Sequence, residues 1–377
     1  MQIWYFSLFL PLIAACSTQI DSYVAAQDET WVMGTTLDVI VYRPKAEEGQ
    51  TQGDLEAALS SVKSIDRSMS LYRDDSELVA LNSKAGTHNI ALSRPMANIL
   101  SASVFFANLS NGAFDVTIQP IVDLWGFYEV EEAAVPPQEE IARILNTVGM
   151  EHFALDLTAR IVSLESETQI DLGAIAKGYA VDQAIDVLQA RGVSAALVNL
   201  GGTIRVFGNS KMNREWIVGV KHPRKNRLLG EVRLVNGAIS TSGDYDRFFE
   251  VDGERYSHII DPRSGYPSEG MTGLTVIAST ATAADALSTA AFVLGPRDGM
   301  ELLARCDAIE GLLVEHASRN ETGQLGGALR VLATGGIQKH ERLVFNSYSN
   351  TTISGYSNNG KNSGPPNLDC EWGYGLE

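Results

Sequence analysis

The chain of 377 residues contains only three cysteines, Cys16, Cys306 and Cys370. They are too few and too widely spaced for a disulfide framework or a cysteine-based zinc site. The six histidines show no spacing typical of metal ligands, which also argues against zinc. The sequence lacks both G-x-G-x-x-G and G-x-x-x-x-G-K-[ST], so the ordinary Rossmann and P-loop nucleotide sites are excluded.

Positive charge is also scarce, with 29 lysines and arginines against 46 aspartates and glutamates and a formal net charge of −17. A surface this acidic repels phosphates, which excludes a nucleic-acid-binding protein. It also opposes the approach of a free anionic ligand. Any phosphate site must therefore be local, made by a metal ion, a lysine or a helix N-terminus.

An apolar run occupies residues 3–15 and ends at Cys16. It is shorter than the roughly 20 residues that a membrane-spanning helix needs. The Ile-Ala-Ala-Cys sequence at its end resembles the lipobox at which bacterial lipoprotein signals are cleaved and lipidated. We therefore expect residues 1–15 to be a signal peptide and Cys16 to be lipidated, giving an exported, membrane-anchored protein that faces the periplasm. The alternative is an uncleaved anchor or a chance run.

Apolar periodicity predicts helices and strands through the rest of the chain. A helix opens at Asp54, and Asp252-Gly253 predicts a hairpin turn. Further strands are predicted over residues 31–42, 169–172, 195–200 and 272–278, and further helices over 93–112, 138–148, 174–191, 283–294 and 299–306.

This pattern predicts an α+β fold, with a single body over residues 31–340 in which mixed or antiparallel sheets are flanked by helices. Residues 16–30 are predicted to be a linker from Cys16. From residue 346 the composition turns to Asn, Ser and Gly without apolar periodicity. Residues 341–377 are therefore predicted to form a disordered, low-complexity tail.

The first candidate site follows Asp171, where a strand is predicted to give way to a helix. Such a junction presents free backbone N–H groups and the positive end of the helix dipole to an anion. Ala174 and Lys177 are three residues apart and share a helix face near that end. The alternative is an ordinary helix start, with Asp171 as its cap and Lys177 in solvent.

The second candidate site is the predicted helix start around Asp285. Asp285 and Thr289 lie four residues apart on one helix face and offer a carboxylate and a hydroxyl, the hard oxygen ligands that magnesium takes. An alternative of similar weight is a capping box between Thr282 and Asp285, which stabilises the helix without any metal.

The third candidate is a turn-rich segment that begins at His258. A histidine at a strand end can accept a proton, and Asp261 is close enough in sequence to orient it or a metal-bound water. The alternative is a turn in which Asp261 caps its own backbone and His258 is merely packed.

Eight motifs, in the expected order, resemble the signatures of the FAD:protein FMN transferases (the ApbE family). They are residues 33–36 (MGTT), 69–72 (MSLY), 112–115 (GAFD), 171–182 (DLGAIAKGYAVD), 199–202 (NLGG), 240–243 (STSG), 258–267 (HIIDPRSGYP) and 285–289 (DALST). The resemblance spans the chain from Trp31 to about residue 335 and implies that residues 31–340 form an ApbE-like catalytic domain.

The resemblance implies a magnesium ion held by the backbone carbonyl of Ala174 and the side chains of Asp285 and Thr289, with Ser288 nearby. It also implies contacts to FAD by a second set of residues: Met33, Tyr72, Ala113, Phe114, Asp115, Asp171, Lys177 and Ile259. Tyr72 is the preferred contact for the flavin ring because it lies just beyond a predicted helix end, whereas Phe114 and Trp125 are also suited to a hydrophobic core.

The implied reaction moves the FMN part of FAD onto a Ser or Thr hydroxyl of a partner protein, with release of AMP. His258 is the first candidate for the general base and Asp261 the second. The implied partners are membrane redox proteins, such as subunits of sodium-pumping NADH:quinone oxidoreductases (Nqr) and Rnf-type complexes. The alternatives are a magnesium-dependent FAD pyrophosphatase, in which water attacks, and a flavin-binding lipoprotein without turnover.

Overall fold

The structure is a computed structural model that describes residues 23–127, 134–210, 214–316, 329–335, 343–345, 351–355, 368–370 and 372. The predicted signal peptide, Cys16 and the first part of the linker lie outside the described residues. Among the helices that are described, none combines the length and the apolar character needed to cross a membrane.

A nine-stranded sheet forms the centre of the described chain. Its strands, in spatial order, are β1 (Tyr23–Val32), β2 (Thr35–Pro44), β6 (Ala195–Leu200), β7 (Thr203–Phe207), β10 (Gly237–Gly243), β15 (Gly273–Ala278), β16 (Glu310–His316), β17 (Leu329–Ala333) and β19 (Thr351–Gly355). Neighbouring strands are antiparallel except for β17 and β19, which run parallel. The sheet is therefore mixed, as the sequence predicted.

Smaller sheets surround this one. One sheet joins β18 (Leu343–Phe345), β9 (Leu228–Leu234) and β8 (Trp216–Lys221), and another joins β3 (Ile90–Ala91), β5 (Ile161–Leu164) and β4 (Phe153–Asp156). Two hairpins pair β11 (Phe248–Val251) with β12 (Glu254–Ser257) and β13 (Ile260–Asp261) with β14 (Tyr266–Pro267). The Asp252-Gly253 turn is confirmed, with positive φ at both residues.

The α-helices are α1 (Thr51–Met69), α2 (Glu77–Asn82), α3 (Arg94–Leu109), α4 (Gln119–Leu124), α5 (Gln138–Leu145), α6 (Ala176–Ala190) and α7 (Ala281–Arg305). The prediction of one helix over 283–294 and a second over 299–306 is confirmed, because α7 is broken into two helical parts at Gly295, whose φ is 85° and ψ 179°. Gly295 can adopt this left-handed conformation because it has no Cβ. The predicted strand over 169–172 is wrong, since only Gln169 forms an isolated bridge, with Ile118.

The strand predicted over residues 31–42 is in fact a hairpin. β1 and β2 are joined at Met33 and Gly34, both of which have positive φ (52° and 70°). A two-residue turn of this kind matches the right-handed twist of the flanking strands. The turn, rather than a continuous strand, is what carries Met33 out of the sheet.

Side chains alternate across the central sheet and create two cores. On β2, Leu37, Val39 and Val41 face the main core, which is shared with the helices, whereas Ile40 and Tyr42 pack against a second core. The second core is completed by residues of β8 and β9, such as Trp216 and Val232. The molecule is thus layered as helices, large sheet and small sheet, and this period-2 alternation is why β2 contributes to both cores.

The tail predicted to lack regular structure includes several described segments that pair with the body. β18 pairs with β9, and β19 extends the central sheet beside β17. Cys370 forms a disulfide with Cys306, which directly follows α7, and both cysteines are buried. This bond holds the Cys370 segment against the end of α7.

Replacing Cys370 with serine is expected to lower the melting temperature, because the bond closes a loop with a sequence separation of 64. Removing a disulfide that closes a loop of this length lowers the free energy of unfolding by about 2–4 kcal/mol. Calorimetry of the wild type and of Cys370→Ser, each with and without reductant, checks this. An equal melting temperature in all four samples would contradict it.

Candidate active site

A cavity of about 1040 Å³ opens where the β1–β2 turn, the β6–β7 turn, the end of β10 and the starts of α6 and α7 converge. Residues far apart in the sequence meet in its wall. The predicted site residues that line it are Met33, Tyr72, Ala113, Phe114, Asp115, Asp171, Ala174, Lys177, His258, Ile259, Asp285 and Thr289. Two predicted residues, Asp261 and Ser288, do not line it.

The segment before α6 is a loop whose residues 171–174 line the cavity. The Asp171 carboxylate accepts a hydrogen bond from the N–H of Gly173 at 2.6 Å. Because α6 begins only at Ala176, after an N-cap residue that makes no side-chain cap, the alternative in which Asp171 caps the helix is wrong. Lys177 is also not simply in solvent, since its ammonium donates to the carbonyl of Gly173 at 3.2 Å inside the cavity wall.

Asp285 is nearly buried, at 4 % exposure, one turn inside α7. Its Oδ2 accepts a hydrogen bond from the N–H of Gly178 at 2.9 Å, and its Oδ1 lies 3.8 Å from the ammonium of Lys177. The proposed capping box is wrong, because Thr280 is the N-cap residue and the hydroxyl of Thr282 donates to Asp182. Asp285 is therefore a cavity carboxylate held by groups from other elements.

Asp182 fixes the start of α7 against α6. This fully buried carboxylate accepts hydrogen bonds from the N–H groups of Ala281 and Thr282, both at 2.8 Å. It also forms a salt bridge with Arg205 at 2.8 Å. A negative charge at a helix N-terminus satisfies free N–H groups and complements the helix dipole. Through this contact the two helix starts keep a fixed separation.

Gly178 allows the same two helices to touch. A Cβ at this position would lie 2.3 Å from the carbonyl oxygen of Ala281 and 2.8 Å from Cβ of Asp285. Alanine normally favours a helix over glycine by roughly 0.5–1 kcal/mol. Here the clash is with backbone, which cannot swing away, so overpacking outweighs that gain.

Gly178→Ala is therefore expected to destabilise the fold by about 1–3 kcal/mol, which chemical denaturation would measure. Gly49→Ala is the matched control, since a Cβ at Gly49 would meet nothing within 4 Å. A Gly178→Ala protein as stable as the wild type would show that α6 and α7 are free to separate.

The oxygen atoms in this part of the cavity fit a magnesium ion. Asp285 supplies a carboxylate and Thr289 a hydroxyl on the same face of α7, and both line the cavity with Ala174. The Thr289 hydroxyl donates to the carbonyl oxygen of Asp285 at 3.4 Å, so a lone pair on the hydroxyl oxygen can face a cation. No group of three or more His, Cys, Asp or Glu side chains suited to a metal occurs in the described residues. A site with one carboxylate suits magnesium, which keeps waters and takes further oxygens from phosphates.

His258 also lines the cavity and directly follows β12. Its Nδ1 is 3.1 Å from the carbonyl oxygen of Arg247, an arrangement in which Nδ1–H donates and Nε2 keeps a lone pair. Burial, aided by the positive charges of Arg247 and Lys177, lowers the pKa of His258 to about 4. The imidazole is therefore neutral at pH 7 and able to accept a proton.

Asp261 and Ser288 are engaged elsewhere. The Asp261 carboxylate accepts hydrogen bonds from the N–H and guanidinium of Arg263, and the ion pair measures 2.7 Å. Ser288 is fully buried and donates to the carbonyl of Asp285 at 2.9 Å. Neither side chain is brought to the cavity surface.

The mouth of the cavity carries the residues suggested for the flavin. Tyr72 is 63 % exposed, and its hydroxyl accepts a hydrogen bond from the guanidinium of Arg247 at 3.2 Å. Met33, on the β1–β2 turn, lines the same cavity. Phe114 packs edge-to-face on Phe106 inside the main core, so its side chain serves packing. The exposed ring of Tyr72 is the one suited to stacking on a ligand.

Deeper in the wall, Asp115 accepts hydrogen bonds from the N–H and hydroxyl of Thr117 at 2.8 and 2.6 Å. Burial raises the pKa of the Asp115 carboxyl. Trp125 is fully buried and donates its indole N–H to the carbonyl of Gly265 at 2.8 Å, which confirms it as a core residue.

Several site residues had no assigned role in the sequence interpretation. Thr203 and Ser240 both contact Asp285, and Arg247 contacts both Tyr72 and His258. Ser240 stands in the STSG motif and Thr203 directly follows the Gly201-Gly202 turn, so their motifs were visible. Their contacts were not, because each depends on a strand being placed beside α7.

Comparison with known proteins identifies relatives over most of the chain. The model of the ApbE family matches residues 33–313. An FAD:protein FMN transferase of Vibrio cholerae serotype O1 is 33% identical over 288 residues, covering 75% of this chain and 85% of the relative. One from Treponema pallidum is 35% identical over 306 residues, covering 75% of this chain and 82% of the relative.

Solved structures show the same fold. The ApbE protein from Thermotoga maritima superposes with a TM-score of 0.72 at 33% identity, covering 79% of this chain and 98% of that one. The flavin transferase ApbE from Vibrio cholerae gives a TM-score of 0.72 at 30% identity, covering 84% and 99%.

Proposed function

This chain belongs to the ApbE family, and we propose that it transfers FMN from FAD to a Ser or Thr hydroxyl of a partner protein, releasing AMP. The observation that carries the proposal is the shared cavity. It brings Lys177, Asp285 and Thr289 at two helix starts together with Tyr72 and His258. A binding protein without turnover has no need for a lysine and a carboxylate converging 3.8 Å apart beside the predicted phosphate position.

Each group has a role in this reaction. Lys177, in the first turn of α6, binds phosphate oxygens of FAD and stabilises the charge that develops on them. Tyr72 stacks on the flavin ring at the mouth. Nε2 of His258 takes the proton of the acceptor hydroxyl, whose oxygen attacks the phosphorus of the FMN part. The bond from that phosphorus to the AMP phosphate oxygen breaks, and AMP leaves.

Asp285 and Thr289, with the carbonyl of Ala174, would hold the magnesium ion. When bound, that ion supplies neutralisation of the pyrophosphate charge as AMP departs. The protein's part is to present the Asp285 and Thr289 oxygens from one face of α7 and the Ala174 carbonyl from the loop before α6.

We also propose that the protein acts outside the cytoplasm, anchored by lipid on Cys16 and facing the periplasm. The buried disulfide between Cys306 and Cys370 supports this, because such bonds persist in oxidising compartments. Membrane redox subunits of the Nqr and Rnf types would then share its compartment as acceptors. Globomycin treatment tests the anchor: a protein that starts at Met1 and carries no acyl chains contradicts it.

The ratio of AMP to free FMN among the products distinguishes a transferase from a pyrophosphatase. Purified protein is incubated with FAD and Mg²⁺, with and without an acceptor domain, and both AMP and free FMN are quantified. A transferase releases AMP in step with acceptor labelling and little free FMN. Free FMN equal to AMP, with or without the acceptor, identifies the pyrophosphatase instead.

A further inference from the structure

Strand β10 runs alongside the part of α7 that carries the proposed cation ligands. Ser240 and Ser242 are two apart on one face of the strand, and Asp285 and Thr289 are four apart on one face of the helix. The spacings are about 6.8 Å along a strand and about 6 Å along a helix. The match places Ser240 opposite Asp285 and Ser242 opposite Thr289, as their contacts show.

The Asp285 carboxylate is oriented from two sides. Its Oδ1 accepts from the hydroxyls of Thr203 at 3.2 Å and Ser240 at 3.1 Å, which lie 2.9 Å from each other. Both hydroxyls are almost fully buried, at 1 % and 2 % exposure. Because only one of these hydroxyls can donate to the other, the second has its proton available for Oδ1 of Asp285. The N–H of Gly178 holds Oδ2, so the carboxylate is fixed about its own axis.

We propose that Thr203 and Ser240 are positioning residues for the cation site, with Ser242 playing the same part for Thr289. The inference rests on the proposed function, because it concerns how Asp285 presents its remaining lone pairs to a divalent cation. Hydrogen-bond partners of a metal ligand set its orientation, and their loss typically weakens metal binding by about 10–100-fold. Ser242 lies 3.3 Å from the Thr289 hydroxyl and 2.8 Å from Ser288.

The test titrates Mn²⁺ alone into the full-length protein and follows the free-ion signal by electron paramagnetic resonance. The variants are Thr203→Val, which keeps the side-chain shape, Ser240→Ala and the double variant. Their dissociation constants for Mn²⁺ should rise about 10-fold singly and further together. The Thr203→Ser protein keeps a hydroxyl and should bind as the wild type does, which separates orientation from packing.

Thr275→Val is the matched control. Thr275 is a buried threonine on the neighbouring strand, and its hydroxyl pairs with Thr241 at 2.8 Å rather than with Asp285. Wild-type Mn²⁺ affinity in Thr203→Val and Ser240→Ala, with binding lost in Asp285→Ala, would overturn the positioning role and leave the cation site intact. Absence of Mn²⁺ binding by the wild-type protein would overturn the cation site itself, and this inference with it.

Discussion

Replacing Asp285 with alanine is expected to lower the rate of AMP release from FAD by at least about 10²-fold. Asp285 is the one carboxylate of the proposed magnesium set, and it lies 3.8 Å from Lys177, so its loss removes both a ligand and the ion pair with the ammonium. The measurement is AMP release at saturating FAD over a range of Mg²⁺ concentrations. The Mg²⁺ concentration needed for half of the maximal rate should also rise.

Asp298→Asn, beyond the break in α7 at Gly295, provides the control, because that carboxylate is exposed and does not line the cavity. It should retain wild-type rates. Full activity of Asp285→Ala with an unchanged Mg²⁺ dependence would remove Asp285 from the cation site.

Replacing His258 with glutamine is expected to slow FMN transfer by about 10²-fold or more, the usual contribution of a general base. Glutamine keeps a polar side chain of similar length but cannot accept the proton. The loss should appear in the turnover number, with the KM for FAD little changed, since His258 is assigned to the acceptor proton. His152→Gln, at a histidine paired with Glu165 outside the cavity, is the control.

The pH profile provides an independent check of the same residue. Burial lowers the pKa of His258 to about 4, so the reactive neutral form persists well below pH 6.5 and is lost only as the pH falls through about 4. The stability of the fold also decreases as the pH falls. The unfolded chain binds the extra proton between about pH 6.5 and 4, so His258 destabilises the fold as the pH falls through that window. A wild-type rate that halves near pH 6.5, and a His258→Gln rate with the same profile, would contradict the assignment.

Local signals in the sequence were sufficient for much of the fold. The strand over residues 195–200 and the hairpin turn at Asp252-Gly253 were predicted within the observed bounds. Ser93 was predicted at the start of the helix now seen as α3, and it is the N-cap residue. In each case a short run of alternating or turn-forming residues determines the local conformation, so no distant contact is needed.

The site was predicted as a set of residues but not as a geometry. From spacing alone, Asp171 and Asp285 were suited to helix caps about as well as to a metal or phosphate site. The structure resolves this through contacts that span 107 residues from Gly178 and 82 from Thr203 to Asp285. Such contacts depend on how α6, β7 and α7 pack, which no local pattern encodes. The placement of β19 beside β17, and the bond from Cys306 to Cys370, depend on long-range pairing in the same way.

The most direct test of the proposed transfer is the intact mass of an acceptor domain after incubation with this protein, FAD and Mg²⁺. A periplasmic domain from an Nqr- or Rnf-type redox subunit is a suitable acceptor. The predicted result is a gain equal to one FMN joined through a phosphoester, with one AMP released for each domain labelled and the label mapped to a Ser or Thr. An unmodified acceptor in the presence of AMP and free FMN would contradict transfer and leave only hydrolysis.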